Sequence, residues 1–149
     1  MKLSTKARYG MRAMVDLALH YGKNPVLLKD VAKRQEVSMK YLDHIISTLK
    51  VSGLIRTARI RHGGYVLSRP PSQIKAYEVI WAVEGSLALV ECVDDPKTCH
   101  RASFCVTINL WKKLKESMVA VLQEVTLEDL AKEQREIIER QKKDRIYHI

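Results

Sequence analysis

Only three cysteines occur among the 149 residues, and no uninterrupted apolar run approaches the roughly 20 residues that a bilayer span requires. The opening MKLSTKARYG also lacks the apolar stretch of a secretory leader. A soluble, cytoplasmic protein with no membrane contact is therefore expected. Internal repeats and low-complexity segments are missing too. No phosphate-cradling glycine loop, Ser-His-Asp order or paired-carboxylate signature stands out, so catalysis would have to rest on the cysteines alone, as in a thiol oxidoreductase. Such an enzyme would have no use for the charge distribution described next, and a non-enzyme is the reading.

Acidic residues are scarce in one half of the chain. Residues 1–69 hold four Asp or Glu against fourteen Lys or Arg, a net of +10, whereas residues 70–149 hold thirteen against twelve, a net of −1. A concentrated positive field repels itself and is relieved when it meets a polyanion and releases counterions. An anionic membrane surface would call for one basic amphipathic helix. The apolar residues form core stripes instead, which favours nucleic acid. At 46% apolar content the chain can bury a core.

Ser4 or Thr5 can cap a helix running to about Tyr21, ended by Gly22, Asn24 and Pro25. Met11, Met14, Val15 and Ala18 share one face of it. A short helix over 28–35 follows, and Ser38 is placed to cap a third in which Leu42, Ile45, Ile46 and Leu49 recur at i, i+3, i+4 and i+7. Its opposite face offers Lys40, Asp43, His44 and Ser47 to base edges or phosphates, and Gly53 ends it. Two helices joined by a tight turn, the second polar on its outer face, form a helix-turn-helix unit.

Two short strands, 54–58 and 65–68, flank Arg59-Ile60-Arg61-His62-Gly63-Gly64, whose glycines suit a hairpin. A hairpin directly after a recognition helix is a wing. Arg56, Arg59, Arg61, His62 and Arg69 are expected to make its tip cationic, and arginine suits a narrow, electronegative minor groove.

Pro70 and Pro71 separate this half from the rest. A helix is predicted over 74–83, then a cysteine loop, then a long helix over 104–125 capped by Ser103. Leu110, Trp111, Leu114, Met118, Val121, Leu122 and Val125 give that helix an apolar stripe too wide for so small a domain to cover, which implies a dimer seam. Thr126 and Asp129 form a capping-box pair for a last, highly charged helix. The expected architecture is mainly α with a small β-hairpin wing: a winged helix-turn-helix over 1–69, a connecting helix and cysteine-rich loop over 70–102, and a dimerisation helix with a C-terminal helix over 103–149.

Cys92, Cys99 and Cys105 lie within fourteen consecutive residues, CVDDPKTCHRASFC. An odd number of clustered thiols points to iron or zinc ligation, or to a reactive sulfur site, rather than to disulfide stapling. Zinc would use Cys92, Cys99, Cys105 and His100 as a Cys3His set. Adjacent residues such as Cys99 and His100 rarely point at one ion, and no C-x-x-C knuckle is present. A metal-free thiol sensor is the third option.

The opening MKLSTKARYGMRAMVDLA, the segment VSMKYLDHIISTLKVSGLI, the wing ending in GGYVLSRPP, and the cysteine loop followed by Leu110 and Trp111 together resemble the Rrf2 family of bacterial winged-helix regulators, and within it the iron-sulfur-cluster regulators. The nitric-oxide sensors and iron regulators of the family are near relatives. The resemblance implies a homodimeric transcription factor, repressors among them, that binds a pseudo-palindromic double-stranded operator. It also implies an interface on the long helix, and a 2Fe-2S or 4Fe-4S cluster that alters operator choice or affinity in response to iron-sulfur status, redox state or nitric oxide.

By position, Cys92, Cys99 and Cys105 match the family's cluster thiolates, with a first interval one residue longer than in the iron-sulfur regulators. Ser38, Tyr41 and Asp43 fall where the family's recognition helix meets DNA, and the iron-sulfur regulators have a glutamate at the Asp43 position. Arg59 matches the wing arginine of the minor groove, with Arg61 beside it, although the wing reads IRHGG where GPGGG is usual. The histidine that completes the cluster in iron-sulfur regulators is replaced by Ile108. The first-helix aspartate used in nitric-oxide sensors is replaced by Arg8, with Arg12 one turn on. Neither an alkyl group nor a guanidinium binds iron, which leaves His100, Asp94, Asp95 or an exogenous molecule as fourth ligand. Protein-gated members of the family lack the cysteine triad, which separates this chain from them.

Overall fold

The computed structural model describes residues 2–59, 61 and 63–148. Six α-helices and one hairpin follow in the order α1 (Thr5–Leu19), α2 (Leu28–Gln35), α3 (Met39–Val51), β1 (Ile55–Thr57), β2 (Tyr65–Leu67), α4 (Ala76–Glu84), α5 (Thr107–Glu124) and α6 (Leu127–Tyr147). Ser4 caps α1, its hydroxyl accepting from the Ala7 amide at 3.0 Å, and Ser38 caps α3 by accepting from Tyr41 at 3.2 Å.

The turn from α2 to α3 is made by Glu36 in the left-handed region, at φ 54° and ψ 48°, with its amide returned to the carbonyls of Ala32 and Lys33. Among the described residues it is the one non-glycine with positive φ. A backbone conformation that costs roughly 1–2 kcal/mol there is held by the packing of α2 and α3 on either side.

β1 and β2 pair antiparallel, Ile55 opposite Leu67 and Thr57 opposite Tyr65, and Val26 adds an isolated bridge to Tyr65. The strands are three residues each, shorter than the sequence suggests, because Leu54 and Ser68 already bend away, joined by a hydrogen bond from the Ser68 N–H to the Leu54 carbonyl of 3.0 Å. Gly64 sits at φ +117°, where a Cβ would stand 2.9 Å from Pro25. Only glycine lets the wing's return strand approach the segment after α1 this closely.

The predicted stripe of α3 is core, Leu42, Ile45, Ile46 and Leu49 being fully buried, with Ile55 and Leu67 from the wing; of the α1 stripe Met14 and Ala18 are buried beside Ala13 and Leu17, while Met11 and Val15 are only partly covered. The same buried cluster takes in Ile74 and Val79 from the α4 region and Leu127 and Ala131 from α6. Backbone bonds strap these together, Ala76 N–H to Val125 at 2.8 Å and Leu127 N–H to Ile74 at 2.9 Å. The capping box at Thr126 and Asp129 forms as predicted, each amide donating to the other's side chain.

Two local expectations differ. The segment at 74 opens as a 3-10 turn over Pro71–Gln73, with α4 itself starting at Ala76. Ser103 does not cap the long helix. It lies inside a 3-10 turn over Ala102–Phe104, and α5 begins at Thr107 without a side-chain cap, because the chain must extend through Cys105 before it can enter the helix.

Candidate nucleic-acid interface and cysteine loop

Lys40, Asp43, His44 and Ser47 are all exposed along one side of α3, while Leu42, Ile45, Ile46 and Leu49 hold its other side in the core. Ser38 spends its hydroxyl on the helix cap, and Tyr41 lies half-buried against Tyr9 of α1, ring centroids 6.1 Å apart and planes at 88°. Arg59 and Arg61 are exposed at the wing tip. Ile60 and His62 lie outside the described residues, so the expected place of His62 in the cationic tip is not described.

Arg69 is a correction to that tip. It sits at the foot of the wing, where its guanidinium donates to Glu78 on α4 and to the Gln73 carbonyl at 3.1 Å. Past the end of β2 and just before two prolines, the chain turns toward α4 rather than outward, and a carboxylate in the first turn of that helix meets Arg69. Arg69 therefore braces the wing instead of presenting charge.

The first two helices are locked by a polar cluster around buried Asp16 that sequence reading missed. Asp16 of α1 accepts from Arg34 Nε at 2.9 Å and Nη2 at 2.7 Å, and from Gln35 Nε2 at 3.0 Å. The carboxylate raises the Arg34 pKa through these bonds. Arg12 completes the cluster, reaching Gln35 Oε1 at 2.8 Å and the Gln35 carbonyl at 3.1 Å. The signal was an acid inside an otherwise apolar helical stripe, which calls for a partner.

Each cysteine is carried on or at the end of its own 3-10 turn: Cys92 within Glu91–Val93, Cys99 after Pro96–Thr98, and Cys105 after Ala102–Phe104. All three are free and half-buried, and no residue from 81 to 107 is fully buried. Cys105 Sγ lies 3.1 Å from Thr107 Oγ1. That hydrogen bond, helped by the Thr107 amide, lowers the thiol's pKa from its ordinary value.

Among the described residues no three His, Cys, Asp or Glu side chains are gathered as a metal-holding group. The structure thus leaves Cys92, Cys99, Cys105 and His100 on one loop without converging them. The donor chemistry nonetheless suits a soft iron-sulfur centre, with three free thiols and no buried side chain to hold their turns apart.

The residues weighed as a fourth ligand are differently engaged. Asp94 is ion-paired with Lys115 of α5 at 2.5 Å, which with Ser86 lowers its pKa. Asp95 caps the next turn through the Lys97 amide at 3.1 Å, and His100 is exposed. Ile108 is the single buried residue of α5, so an apolar side chain is packed inward at the position where the resemblance implies a histidine ligand. Arg12 is held at α2, which leaves Arg8 and Arg12 to the α1 surface.

The apolar stripe of α5 is largely uncovered. Leu110 is 51% and Val121 61% exposed, Leu114 is exposed as well, and Trp111, Leu114 and Met118 line an open groove with Leu87, Leu89 and Val90. No described helix is long and apolar enough to cross a membrane.

A family model described as Rrf2, iron-dependent transcriptional regulator, matches residues 3–133. The regulator IscR of Xenorhabdus nematophila is 37% identical over 147 residues, covering 97% of this chain and 89% of the relative. CymR of Bacillus subtilis is 37% identical over 131 residues, covering 88% and 90%. A solved structure of T. potens IscR is 40% identical and superposes with a TM-score of 0.76, covering 92% of this chain and 90% of that one.

Proposed function

Because the chain belongs to the Rrf2 family of winged-helix transcriptional regulators, we propose that it is a homodimeric, iron-sulfur-dependent member that binds a pseudo-palindromic operator and reports iron-sulfur status, redox state or nitric oxide. The family role is DNA binding rather than catalysis, in line with the lack of an enzyme motif. The observation that carries the finer reading is the cysteine loop itself: three free thiols in a segment with no buried residue.

Cys92, Cys99 and Cys105 would hold the cluster, and when bound it supplies a centre that reacts with oxidants and nitric oxide. Thr107 favours the thiolate form of Cys105, the form that ligates. The Lys115–Asp94 pair ties the loop to the middle of α5, so a change in the loop is felt by the helix whose uncovered Leu110, Leu114 and Val121 offer a seam to a second copy. On the DNA side, α3 presents Lys40, Asp43 and His44 to the major groove and the wing presents Arg59 and Arg61 to the minor groove.

The test is anaerobic purification followed by visible absorption, with iron and acid-labile sulfide assayed per chain. Charge-transfer bands with near-equal iron and sulfide support the proposal. A colourless protein that binds its operator equally well before and after reconstitution would sink the cluster reading. A dimer by light scattering is expected at micromolar concentration, and a stable monomer there would sink the seam.

A second reading, a metal-free cysteine-thiol regulator, is favoured by the lowered Cys105 thiol and by the likeness to CymR, of which a Staphylococcus aureus structure described as the oxidized form is 33% identical with a TM-score of 0.69. Zinc stabilisation through Cys92, Cys99, Cys105 and His100 would show as stoichiometric zinc in the same assay.

A further inference from the structure

We infer that Tyr9 of α1 is a positioning residue for DNA recognition: through its contact with Tyr41 it fixes the base-facing side of α3 and so sets that helix's sequence discrimination. The inference rests on α3 being the DNA-reading helix. Tyr9 and Tyr41 meet edge to face, centroids 6.1 Å apart, in the arrangement that the ring quadrupole favours. Both rings are partly buried against the core. Tyr41 is thus held at the boundary between the packed and the exposed side of α3, next to Lys40 and one turn before His44.

Tyr9 is in turn held from α2. The Arg12 guanidinium lies 5.0 Å from the Tyr9 ring centroid, within cation–π range. Arg12 is anchored by two hydrogen bonds to Gln35, whose side-chain amide donates to buried Asp16, which also binds Arg34. The series Asp16, Gln35, Arg12, Tyr9, Tyr41 therefore joins all three helices of the DNA-binding unit and ends on the reading face. Each side chain loses rotamer freedom to the one before it, so the orientation of Tyr41 is set before DNA arrives, and less is lost on binding. Arg12 has only neutral acceptors among these partners. Its charge stays available to hold the ring.

The experiment selects a preferred duplex from a random pool with the wild-type protein. It then measures dissociation constants for that duplex and a scrambled one of equal length, at several salt concentrations, for wild type, Tyr9→Leu, Tyr9→Phe, Tyr41→Ala and the Tyr9→Leu/Tyr41→Ala double variant. Tyr9→Leu is expected to lower the specific-to-scrambled ratio by roughly threefold to tenfold. The scrambled affinity and the salt slope should stay as in wild type, and Tyr9→Phe should keep the wild-type ratio. In the Tyr41→Ala background Tyr9→Leu should add no further loss.

An unchanged ratio in Tyr9→Leu, an equal loss on both duplexes, or full additivity with Tyr41→Ala would each overturn the assignment. A wild-type ratio in Tyr41→Ala would overturn it as well, since Tyr41 carries the effect, whereas a wild-type ratio in Asp43→Ala and His44→Ala would show that α3 does not read the bases, which keeps the two failures distinguishable. Should Tyr9→Leu melt far below wild type, Arg12→Met at an exposed position takes its place: a reduced ratio at unchanged scrambled affinity supports the inference, and a wild-type ratio overturns it.

Discussion

Arg34 grips Asp16 through two parallel hydrogen bonds, Nε to Oδ2 at 2.9 Å and Nη2 to Oδ1 at 2.7 Å, yet the two partners sit in different solvents. The Asp16 side chain is 3% exposed and that of Arg34 42%. Removing either breaks the same pair, but the survivor differs. After Asp16→Ala the guanidinium can turn into water, whereas after Arg34→Ala a carboxylate stays buried with the Gln35 amide and His20 beside it. Urea unfolding should therefore show Arg34→Ala as the costlier change, by about 3 kcal/mol against about 1–2 for Asp16→Ala. The reverse order would mean that Asp16 reaches water once unpaired.

That clamp also shows what could be read from the chain and what could not. Leu42, Ile45, Ile46 and Leu49 announced both the helix and its buried side because one 3.6-residue period carries both. Thr126 and Asp129 announced their capping box because its partners are three residues apart. Asp16 with Arg34, Tyr9 with Tyr41, and Arg69 with Glu78 join different elements; Asp16 stands out as an acid in an apolar stripe, but nothing local names its partner or marks the other two pairs. The cysteine loop is intermediate: spacing and resemblance single out the thiols as candidates, while their directions depend on three short turns that no periodicity encodes.

The wing tip and the end of α3 should separate two kinds of DNA contact. Arg59, exposed at the tip, is expected to read minor-groove shape, so Arg59→Ala should weaken the preferred duplex by about 1–3 kcal/mol and relax its sequence preference. Lys50, exposed in the last turn of α3, is at most a phosphate contact. Lys50→Ala should lower affinity for preferred and random DNA alike and reduce the salt slope by about 1. Equal behaviour of the two variants on both duplexes in fluorescence anisotropy would contradict these roles.

Acid should loosen the start of α6 before it unfolds the domain. The Asp129 carboxylate accepts from the Thr126 amide at 2.9 Å and from its hydroxyl at 2.8 Å, and these bonds lower its pKa. Because the folded value lies below the unfolded one, the cap's contribution is complete above the unfolded aspartate range, near about 4, and is lost as pH falls through the folded value. Hydrogen exchange at Leu127 to Leu130 should lose protection over that interval. The Asp129→Asn variant should show weaker protection with no such acid step, and a wild-type step retained in it would assign the titration elsewhere.

The cluster reading makes its sharpest demand on the fourth ligand. On that reading Cys92, Cys99 and Cys105 would supply three thiolates, so replacing any one by Ala should abolish iron retention while leaving helical content and the melting of the winged-helix core intact, since no residue from 81 to 107 is fully buried. Beyond them, Asp94 is committed to Lys115 and Asp95 to a turn cap. Ligation by either would have to break an existing contact, whereas exposed His100 gives up none that the fold depends on. We therefore expect His100→Ala to shorten the lifetime of the reconstituted centre under oxygen or nitric oxide, and Asp95→Ala to leave it as in wild type. Asp94→Ala should act by freeing the loop from α5, which raises hydrogen exchange there without changing iron content. If His100→Ala decays like wild type while Asp94→Ala loses iron, the carboxylate is the ligand and the Lys115 pair exists only in the cluster-free chain. If all three variants match wild type, the fourth position belongs to a molecule from solution, which added thiol or imidazole should then perturb in the visible spectrum.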